Sequence, residues 1–166
     1  MNKLALRLIL CDIRSAHNVG AIFRTADACG IEHVYVTGYT PYPRLQNDSR
    51  PPHVSSSNTS AIAKTALGAE RTMSIGHFAE PSQAILHARS EGFTITVLEQ
   101  SEKSLNLFNF KPAAPLALVL GNEVTGVPQN LLQEADQILE LPMLGAKESL
   151  NVAVTGAVAM YRLRFG

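Results

Sequence analysis

Several features that mark common protein classes are missing from this chain. It has no tryptophan and only two cysteines in 166 residues, and Cys11 and Cys29 have neither metal-ligand spacing nor the density of a disulfide framework. No apolar run reaches the roughly 18 residues of a membrane span. No small-residue cleavage site follows the apolar run near the N-terminus. We therefore expect a reduced cytosolic protein without a membrane segment.

Familiar catalytic and ligand-binding motifs are missing too. The five histidines show neither HxxxH nor HExxH spacing, so no metal site is expected. There is no GxSxG elbow, and no Ser/His/Asp set stands out. A nucleotide-binding Rossmann domain is an improbable alternative, because no GxGxxG follows the first apolar run.

Charge of one sign is also lacking. The formal net charge is zero, which argues against avid non-specific nucleic-acid binding. The balance is uneven, since residues 1–71 hold 8 Lys/Arg against 5 Asp/Glu and residues 72–166 hold 6 against 9. A scatter of solvated charges accounts for this asymmetry, and a basic face on the N-terminal half is the alternative.

The composition that remains, 46% apolar and 17% charged, is typical of one globular domain. Apolar runs alternate with helical patterns, which indicates an α/β fold around a mainly parallel sheet flanked by helices. Strands are predicted at residues 4–10, 33–37, 72–75, 93–98, 116–120 and 138–141. Helices are predicted at residues 18–29, 60–67, 81–91, briefly from 128, and 149–164. Residues 38–57, rich in Pro, Ser and Asn, form a long loop of the kind that tends to be functional or mobile.

Two strand-to-turn units are the most informative feature. Residues 116–128 and 141–152 each join a short apolar run to a turn built from Gly, Asn, Pro and one carboxylate. Open parallel sheets place their ligands at the carboxyl ends of strands. The two units therefore predict one small-molecule site made from two loops.

The first helix carries a candidate anion site. Asn18 is a plausible N-cap, with Gly30 as the C′ residue. Arg24 shares a face with small residues, among them Gly20, so it can lie close to the backbone. The helix N-terminus favours anions, and an RNA phosphate would fit there. The alternative is an ordinary capped helix with a solvent-facing arginine.

The two later turns supply further polar candidates. Gly121 and Gly126 permit a tight turn around Glu123, which could accept hydrogen bonds or hold Arg24 in a bidentate pair. A plain strand–turn–helix connection with a surface glutamate is the alternative. In the last turn, Ser149 is the expected cap of the final helix, which would aim Asn151 and free N–H groups at the loop.

In this order, the three segments resemble motifs 1, 2 and 3 of the SpoU/TrmH family of RNA 2′-O-ribose methyltransferases, in the SPOUT superfamily. Motif 1 reads NVGAIFRTADACG from Asn18, motif 2 reads LVLGNEVTGVP from Leu118, and motif 3 reads LPMLGAKESLNVAVTGAVA from Leu141. The resemblance covers nearly the whole chain. It implies a C-terminal deep trefoil knot, an exception to the rule that chains avoid knots. It also implies that motifs 2 and 3 in this knot hold S-adenosyl-L-methionine.

The resemblance further implies a homodimer that methylates tRNA or rRNA, with motif 1 of one subunit close to the cofactor of the other. The implied cofactor-binding residues are Leu98, Gly121, Asn122, Leu141, Met143 and Leu150. Arg24 is the implied catalytic residue, and those around it are Asn18, Glu123, Ser149 and Asn151. Phosphate contacts dominate RNA affinity, so the candidates for RNA binding are the N-terminal arginines Arg14, Arg24, Arg44 and Arg50.

Two departures from the family pattern bear on the substrate. Larger relatives carry RNA-binding extensions, whereas we expect one domain over residues 1–166 without such an appendage. Substrate recognition then has three alternatives: the protein reads a local RNA feature, relies on the groove of the dimer, or needs a partner. Small relatives that modify the tRNA wobble position have PPNTG where this chain has SAHNVG, which favours the tRNA D-loop or rRNA guanosine enzymes, tRNA guanosine slightly preferred. The alternative is a catalytically silent, knotted RNA-binding or assembly protein.

Overall fold

The computed structural model describes residues 4–166, in which strands and helices alternate as the sequence predicts. The strands are β1 (Leu6–Cys11), β2 (His33–Thr37), β3 (Ser74–Phe78), β4 (Thr94–Leu98), β5 (Leu105–Asn106), β6 (Leu116–Leu120) and β7 (Gln137–Glu140). The helices are α1 (Ala16–Ala28), α2 (Pro52–Ala66), α3 (Ala69–Thr72), α4 (Pro81–Ser90), α5 (Gln129–Glu134) and α6 (Val152–Phe165).

The strands of residues 4–166 form one sheet in the order β3-β2-β1-β6-β4-β7-β5, and each neighbouring pair is parallel. This confirms the predicted parallel sheet. All five residues of β6 are buried, as expected of a strand covered on both faces. Leu120 pairs with Leu10 of β1 and with Leu98 of β4, so these three strands end level with one another.

Helices cover both faces of the sheet, as predicted. One face packs against α1, α2, α3 and α6 through side chains such as Leu8, Leu10 and Leu118. The other face packs against α4 and α5 through Ile9 and Val119. Neighbouring strand residues serve opposite faces because side chains alternate along a strand. None of the helices in residues 4–166 is both long and apolar enough to cross a bilayer.

Three elements differ from the sequence-based expectation. Helix α2 begins at Pro52 rather than near residue 60, which shortens the segment without regular structure to 38–51. Its first turns are polar and carry no apolar period, and Pro52 suits the first helical position. The short elements α3 and β5 were not predicted, because four and two residues are too few to show a period.

Helix α6 buries a different face from the one that the sequence pattern predicts. The pattern places Leu150, Val154, Ala157, Val158 and Tyr161 on one face. The structure buries Gly156, Ala159, Met160 and Leu163 instead, whereas Val154 and Tyr161 are each about half exposed. An apolar face of α6 is thus left uncovered within residues 4–166 of a single chain.

Candidate functional site

The candidate site lies where β1 and β6 end side by side. From β1 the chain passes through α1 to β2, and from β6 it passes through α5 toward β7 on the other face and in the opposite direction. Parallel sheets bind ligands at such topological switch points. A cleft of about 310 Å³ opens next to this point, at the carboxyl ends of β4, β6 and β7.

The cleft is lined by residues from both predicted strand-to-turn units. The six residues predicted to bind a cofactor all line it, namely Leu98, Gly121, Asn122, Leu141, Met143 and Leu150. Of the residues predicted to be catalytic, Glu123 and Ser149 also line it, whereas Asn18, Arg24 and Asn151 lie outside the lining. Four carboxylates contribute to the wall, those of Glu99, Glu123, Glu140 and Glu148. The cleft is therefore apolar on one part and acidic on another.

The turn after β6 depends on two glycines. Asn122 and Gly126 bond to each other through both backbone groups, at 3.2 and 3.0 Å, which folds the chain sharply back. A Cβ on Gly121 would lie 2.5 Å from the Gly126 carbonyl carbon, so only glycine fits there. Gly126 has φ +67° and packs against Glu99, whose carboxylate accepts the Val127 N–H at 3.0 Å. This turn forms one wall of the cleft.

Asn122 uses its whole side chain inside the protein. Its Nδ2 donates to the Asp12 carbonyl at 2.7 Å and to the Tyr39 hydroxyl at 2.8 Å. Its Oδ1 accepts the N–H groups of Val124 and Thr125, at 2.8 and 3.0 Å. With two donors and two acceptor sites in use, the amide has no hydrogen-bonding capacity left for a ligand. Asn122 therefore shapes the cleft wall by joining the loops after β1, β2 and β6.

Glu123 ties motif 2 to the start of α1. Its carboxylate accepts the backbone N–H of Arg14 at 2.8 Å, that of Ser15 at 3.1 Å, and Asn18 Nδ2 at 2.8 Å. Partial burial on its own would raise the pKa of Glu123, but these hydrogen bonds outweigh it and hold the pKa below its ordinary value. The carboxylate is therefore an ionised acceptor at neutral pH.

This arrangement corrects one prediction for the first segment. Ser15, not Asn18, is the N-cap of α1, and its Oγ accepts the Asn18 N–H at 3.3 Å. Of the two roles expected for Glu123, the structure shows the hydrogen-bond acceptor, and its carboxylate is an anion at this end of the helix. Among residues 4–166 the side chain of Arg24 makes no hydrogen bond or ion pair. Gly30 does take the left-handed conformation expected of a C′ residue, with φ +66°.

Asn18 and Asn151 join motif 1 to motif 3. Asn151 Nδ2 donates to Asn18 Oδ1 at 3.1 Å, and Asn151 Oδ1 accepts the Ala153 N–H at 2.8 Å. Asn151 is therefore the N-cap of α6, and the prediction that Ser149 caps it is wrong. Ser149 lies exposed in the cleft wall instead. A continuous chain of hydrogen bonds thus runs from Glu123 through Asn18 to Asn151.

Arg24 lies away from this network. Helical rise places it about 9 Å along α1 from Asn18. Its side chain is exposed, and Gly20, one turn earlier, packs closely against α2, where an added Cβ would lie 2.3 Å from the Ile62 carbonyl oxygen. The small residue beside Arg24 therefore serves helix packing. Arg24 does not reach the cleft of its own chain.

The other predicted RNA-binding arginines fall into two groups. The side chains of Arg14 and Arg44 are exposed and make no hydrogen bond or ion pair within residues 4–166. Arg50 is engaged, because its guanidinium pairs with Asp48, donates to the carbonyls of Tyr42 and Pro43, and lies 3.4 Å from the Tyr42 ring centroid. Hydrogen bonds from Arg50 hold the pKa of Asp48 well below its ordinary value. RNA contact by Arg50 would require these bonds to break.

Residues 5–161 match the sequence profile of the SpoU rRNA Methylase family. The chain belongs to this family. The matched range contains all three segments that build the site.

Two curated members of the SpoU family align with most of this chain. It is 28% identical over 156 residues to the tRNA (guanosine(18)-2'-O)-methyltransferase of Escherichia coli (strain K12), an alignment that covers 94% of this chain and 61% of that protein. It is 30% identical over 158 residues to the 23S rRNA (guanosine-2'-O-)-methyltransferase RlmB of Haemophilus influenzae, covering 95% and 58%. The chain thus spans about three fifths of the length of these relatives.

A solved structure gives the same fold. The crystal structure of the A. aeolicus TrmH/SpoU tRNA modifying enzyme superposes with a TM-score of 0.76 at 26% identity, and the superposition covers 95% of this chain and 72% of that one. The mainly parallel sheet with its flanking helices is therefore the SpoU family fold.

Sequence reasoning missed two residues at the site. Glu99 follows directly after β4, so the rule that drew attention to Glu123 could have found it. Tyr39 carried no such signal, because its contact with Asn122 joins residues 83 positions apart. Within residues 4–166 no group of three or more His, Cys, Asp or Glu side chains is placed to hold a metal ion.

Proposed function

We propose that this protein transfers a methyl group from S-adenosyl-L-methionine to a ribose 2′-hydroxyl of tRNA or rRNA. The observation that carries the proposal is the hydrogen-bonded chain Glu123–Asn18–Asn151, which brings the three family motifs together beside one cleft. Both curated relatives are named as guanosine 2′-O-methyltransferases, one of tRNA and one of 23S rRNA, and this supports the reaction class.

The cleft fits the proposed cofactor chemically. Leu98, Leu141 and Met143 offer apolar surface for an adenine ring, and Glu99 and Glu140 offer negative charge toward a sulfonium and an ammonium group. The absence of a Cβ at Gly121 lets the chain after β6 fold back closely onto Gly126 and Val127, which shapes the cleft wall. We propose Leu98, Gly121, Asn122, Leu141, Met143 and Leu150 as the residues that hold the cofactor, Asn122 through the turn that its side chain braces.

When bound, the cofactor supplies an electrophilic methyl group on a sulfonium. The residues of this chain must then hold the ribose 2′-oxygen in line with that carbon, and such positioning supplies much of the rate. Glu123, Asn18 and Asn151 fix the spacing between the motifs, and Ser149 faces the cleft from the turn before α6. Arg24 serves either as the base, assisted by an RNA phosphate, or as a phosphate clamp that stabilises the developing alkoxide. The clamp agrees better with a guanidinium that stays protonated.

We further propose that the active unit is a homodimer in which Arg24 acts at the partner subunit's cleft. Arg24 lies about 9 Å along α1 from the network of its own chain. The uncovered apolar face of α6, formed by the exposed side chains of Val154, Tyr161 and Phe165, offers a surface for a second copy. α6 packs against α1, so pairing through this face would bring motif 1 of one subunit near the other.

The proposal includes the C-terminal deep trefoil knot. Strands β6 and β7 are inserted between strands that precede them in the chain, β6 between β1 and β4 and β7 between β4 and β5. The loop after β4 contacts both later turns, since Glu99 accepts from Val127 N–H and Gln100 Nε2 donates to the Glu148 carbonyl at 2.6 Å. A crystal structure in which the segments after β6 and β7 do not pass through one another would contradict the knot.

The substrate preference is proposed on the same basis. Guanosine is named in both curated relatives, and we favour tRNA guanosine over rRNA guanosine. Exposed Arg14, Arg24 and Arg44 are the proposed phosphate contacts. Arg50 stays a prediction that its internal bonds do not favour, and the cytosolic location likewise stays a prediction from the sequence.

The test is methylation of separate tRNA and rRNA pools with labelled S-adenosyl-L-methionine, followed by mapping of the modified ribose. We expect incorporation in the tRNA pool. Calorimetric titration with the cofactor separates the alternative, because a catalytically silent RNA-binding protein would show neither cofactor binding nor transfer. Incorporation that maps to a base rather than a ribose would refute the proposed reaction.

Arg24→Ala tests the assigned catalytic residue. Loss of electrostatic stabilisation at one donor costs on the order of 100- to 1,000-fold in rate, and we expect cofactor affinity to stay nearly intact because Arg24 does not line the cleft. The matched control is Arg71→Ala, since this arginine is 83% exposed on α3 outside the lining. Near-normal turnover of Arg24→Ala would refute both roles proposed for Arg24.

A further inference from the structure

Tyr39 is an exposed aromatic residue held in place at the edge of the cleft. It follows β2 directly after Gly38, and 62% of its surface is exposed. Its hydroxyl accepts Asn122 Nδ2 at 2.8 Å, and its backbone N–H donates to Asp12 Oδ1 at 3.1 Å. Bonds at both ends of the residue fix the ring without burying it. Tyr39 does not line the cleft itself, but its hydroxyl bonds to Asn122, whose turn forms one wall of the cleft.

The loop that carries Tyr39 is itself fastened. Gly38 has φ +58°, and an added Cβ would lie 1.9 Å from Asp12 Oδ1, so the loop leaves β2 in a conformation that favours glycine. Further on, the Arg50 guanidinium bonds to Asp48 and lies against the Tyr42 ring, whose other neighbour is His77, stacked with a centroid distance of 4.5 Å. The orientation of Tyr39 is therefore established before any ligand arrives.

Two exposed arginines belong to the segments that hold Tyr39. Arg44 lies on the same loop as Tyr39, and Arg14 is two residues after Asp12, whose carboxylate accepts the Tyr39 backbone N–H. Within residues 4–166 neither arginine side chain has an acidic partner. An exposed aromatic ring on loops that also carry unpaired cations matches single-stranded nucleic acid, which combines phosphates with flat bases. Scattered exposed apolar side chains are ordinary on surfaces, but the anchoring and the position of Tyr39 are not.

We propose that the Tyr39 ring stacks on a nucleobase that neighbours the methylated ribose. This inference rests on the proposed function and adds a base contact that neither the motifs nor the family resemblance identified. The stack supplies affinity for an unpaired nucleotide without reading its hydrogen-bonding edge, because every base has a π face. The bond from Asn122 to the Tyr39 hydroxyl then sets the stacked base at a fixed height above the turn that contains Glu123.

The experiment compares the full chain with Tyr39→Ala and Tyr39→Phe, and with Leu86→Ala as a matched control. Leu86 is similarly exposed at 64%, but it lies on α4 outside the cleft lining. Three quantities are measured: affinity for end-labelled bulk tRNA by filter binding, the KM for the same RNA in methyl transfer, and the affinity for S-adenosyl-L-methionine by calorimetry.

We expect Tyr39→Ala to weaken RNA affinity and raise the RNA KM by roughly 5- to 150-fold, the range for loss of one base–aromatic stack. Tyr39→Phe keeps the ring and should recover most of that loss, and Leu86→Ala should behave like the unaltered chain. Cofactor affinity should be unchanged in all of them, because the ring does not line the cleft.

Three results would overturn the stacking role. One is an RNA affinity of Tyr39→Ala within about twofold of that of the unaltered chain, well short of one lost stack. Another is a defect of equal size in Tyr39→Phe, which would assign the effect to the hydroxyl. The third is a loss of cofactor affinity in place of RNA affinity, which would make Tyr39 a brace for Asn122. Failure of the unaltered chain to methylate RNA would instead refute the proposed function itself.

Discussion

Replacing Glu123 with glutamine removes the negative charge that joins motif 2 to the start of α1. The carboxylate accepts three hydrogen bonds, from the N–H groups of Arg14 and Ser15 and from the Asn18 side chain. A glutamine of the same length keeps one acceptor oxygen and turns an NH₂ group toward donors that need an acceptor. At least one N–H therefore loses its partner whichever way the amide is turned.

The size of the effect follows from the number and exposure of these bonds. A hydrogen bond to a charged group contributes about 1.5–3 kcal/mol when well shielded, and a carboxylate near a helix N-terminus adds about 0.3–1 kcal/mol. Glu123 is only partly buried, so water screens part of both contributions. We expect Glu123→Gln to lower the free energy of unfolding by about 1–2 kcal/mol, which shifts Tm by roughly 2–8 °C for a chain of this size.

The pH dependence gives the sharper test. The pKa of Glu123 lies below its ordinary value of 4.5 in the folded chain, so the unfolded chain takes up its proton first as the pH falls. The stability that the charge contributes is complete above the unfolded pKa and is lost as the pH falls through the folded pKa. The difference between the unaltered chain and Glu123→Gln should be full at neutral pH and shrink below about pH 4.5.

Urea unfolding at neutral and acidic pH measures this difference, at one fixed protein concentration because association would shift the midpoint. Glu32→Gln is the matched control, since Glu32 is exposed and its carboxylate makes no hydrogen bond within residues 4–166. Parallel loss of stability in the unaltered chain and in Glu123→Gln on acidification would refute the assignment of Glu123 as an ionised brace.

Three other substitutions test separate parts of the structure. Gly121→Ala should weaken cofactor binding at least tenfold by calorimetry, because its Cβ would lie 2.5 Å from the Gly126 carbonyl carbon and push the turn into the cleft. Arg50→Ala should lower the midpoint of urea unfolding, since it leaves the Asp48 carboxylate without the cation that pairs with it. Val154→Asp should convert the proposed dimer to monomers in sedimentation, because it places a charge on the uncovered apolar face of α6.

Each of these has a control within the same chain. Gly145→Ala should keep full cofactor affinity, because nothing lies within 4 Å of the added Cβ. Arg44→Ala should leave stability unchanged, and Leu86→Asp should leave the oligomeric state unchanged. Equal effects in a test variant and its control would contradict the local reason given for the test variant.

The fold class and the position of the cleft could be predicted because they depend on local pattern. An uninterrupted apolar run such as LALVL in β6 is stable only between two layers of helix, and polar turn residues directly after it must lie at the sheet edge. The pattern predicted a site in the turns after β6 and β7, and the residues that the family resemblance implied there, among them Leu98, Gly121 and Leu141, all line the cleft.

The helix caps could not be predicted in the same way. Ser15 and Asn18 are both good capping residues three positions apart, and so are Ser149 and Asn151 two positions apart. Local preference does not choose between them. At α1 the Asn18 side chain is bonded to Glu123, which lies more than a hundred residues away in the chain and also binds the Ser15 N–H. At α6 the Asn151 side chain is bonded to Asn18, which also lies more than a hundred residues away in the chain.

The buried face of α6 shows the same limit on a larger scale. Val154 and Tyr161 stay about half exposed, whereas the protein buries Met160 and Leu163 together with the small residues Gly156 and Ala159. Gly156 lets the helix lie close to the sheet, because an added Cβ would lie 2.8 Å from the Leu120 side chain. Amphipathic pattern identifies an apolar face but does not say whether its partner belongs to the same chain.

By itself the sequence determined the alternation of strands and helices, the turns at the strand ends, and membership of the SpoU family. Each of these depends on residues that are close together in the chain. Only the tertiary structure decided that Glu123 faces the start of α1, that the Asn122 side chain forms all its hydrogen bonds within the protein, and that the Tyr39 hydroxyl bonds to Asn122 in the cleft wall. Those contacts join residues 83 to 110 positions apart. They exist because a parallel sheet brings the ends of distant strands to a single edge.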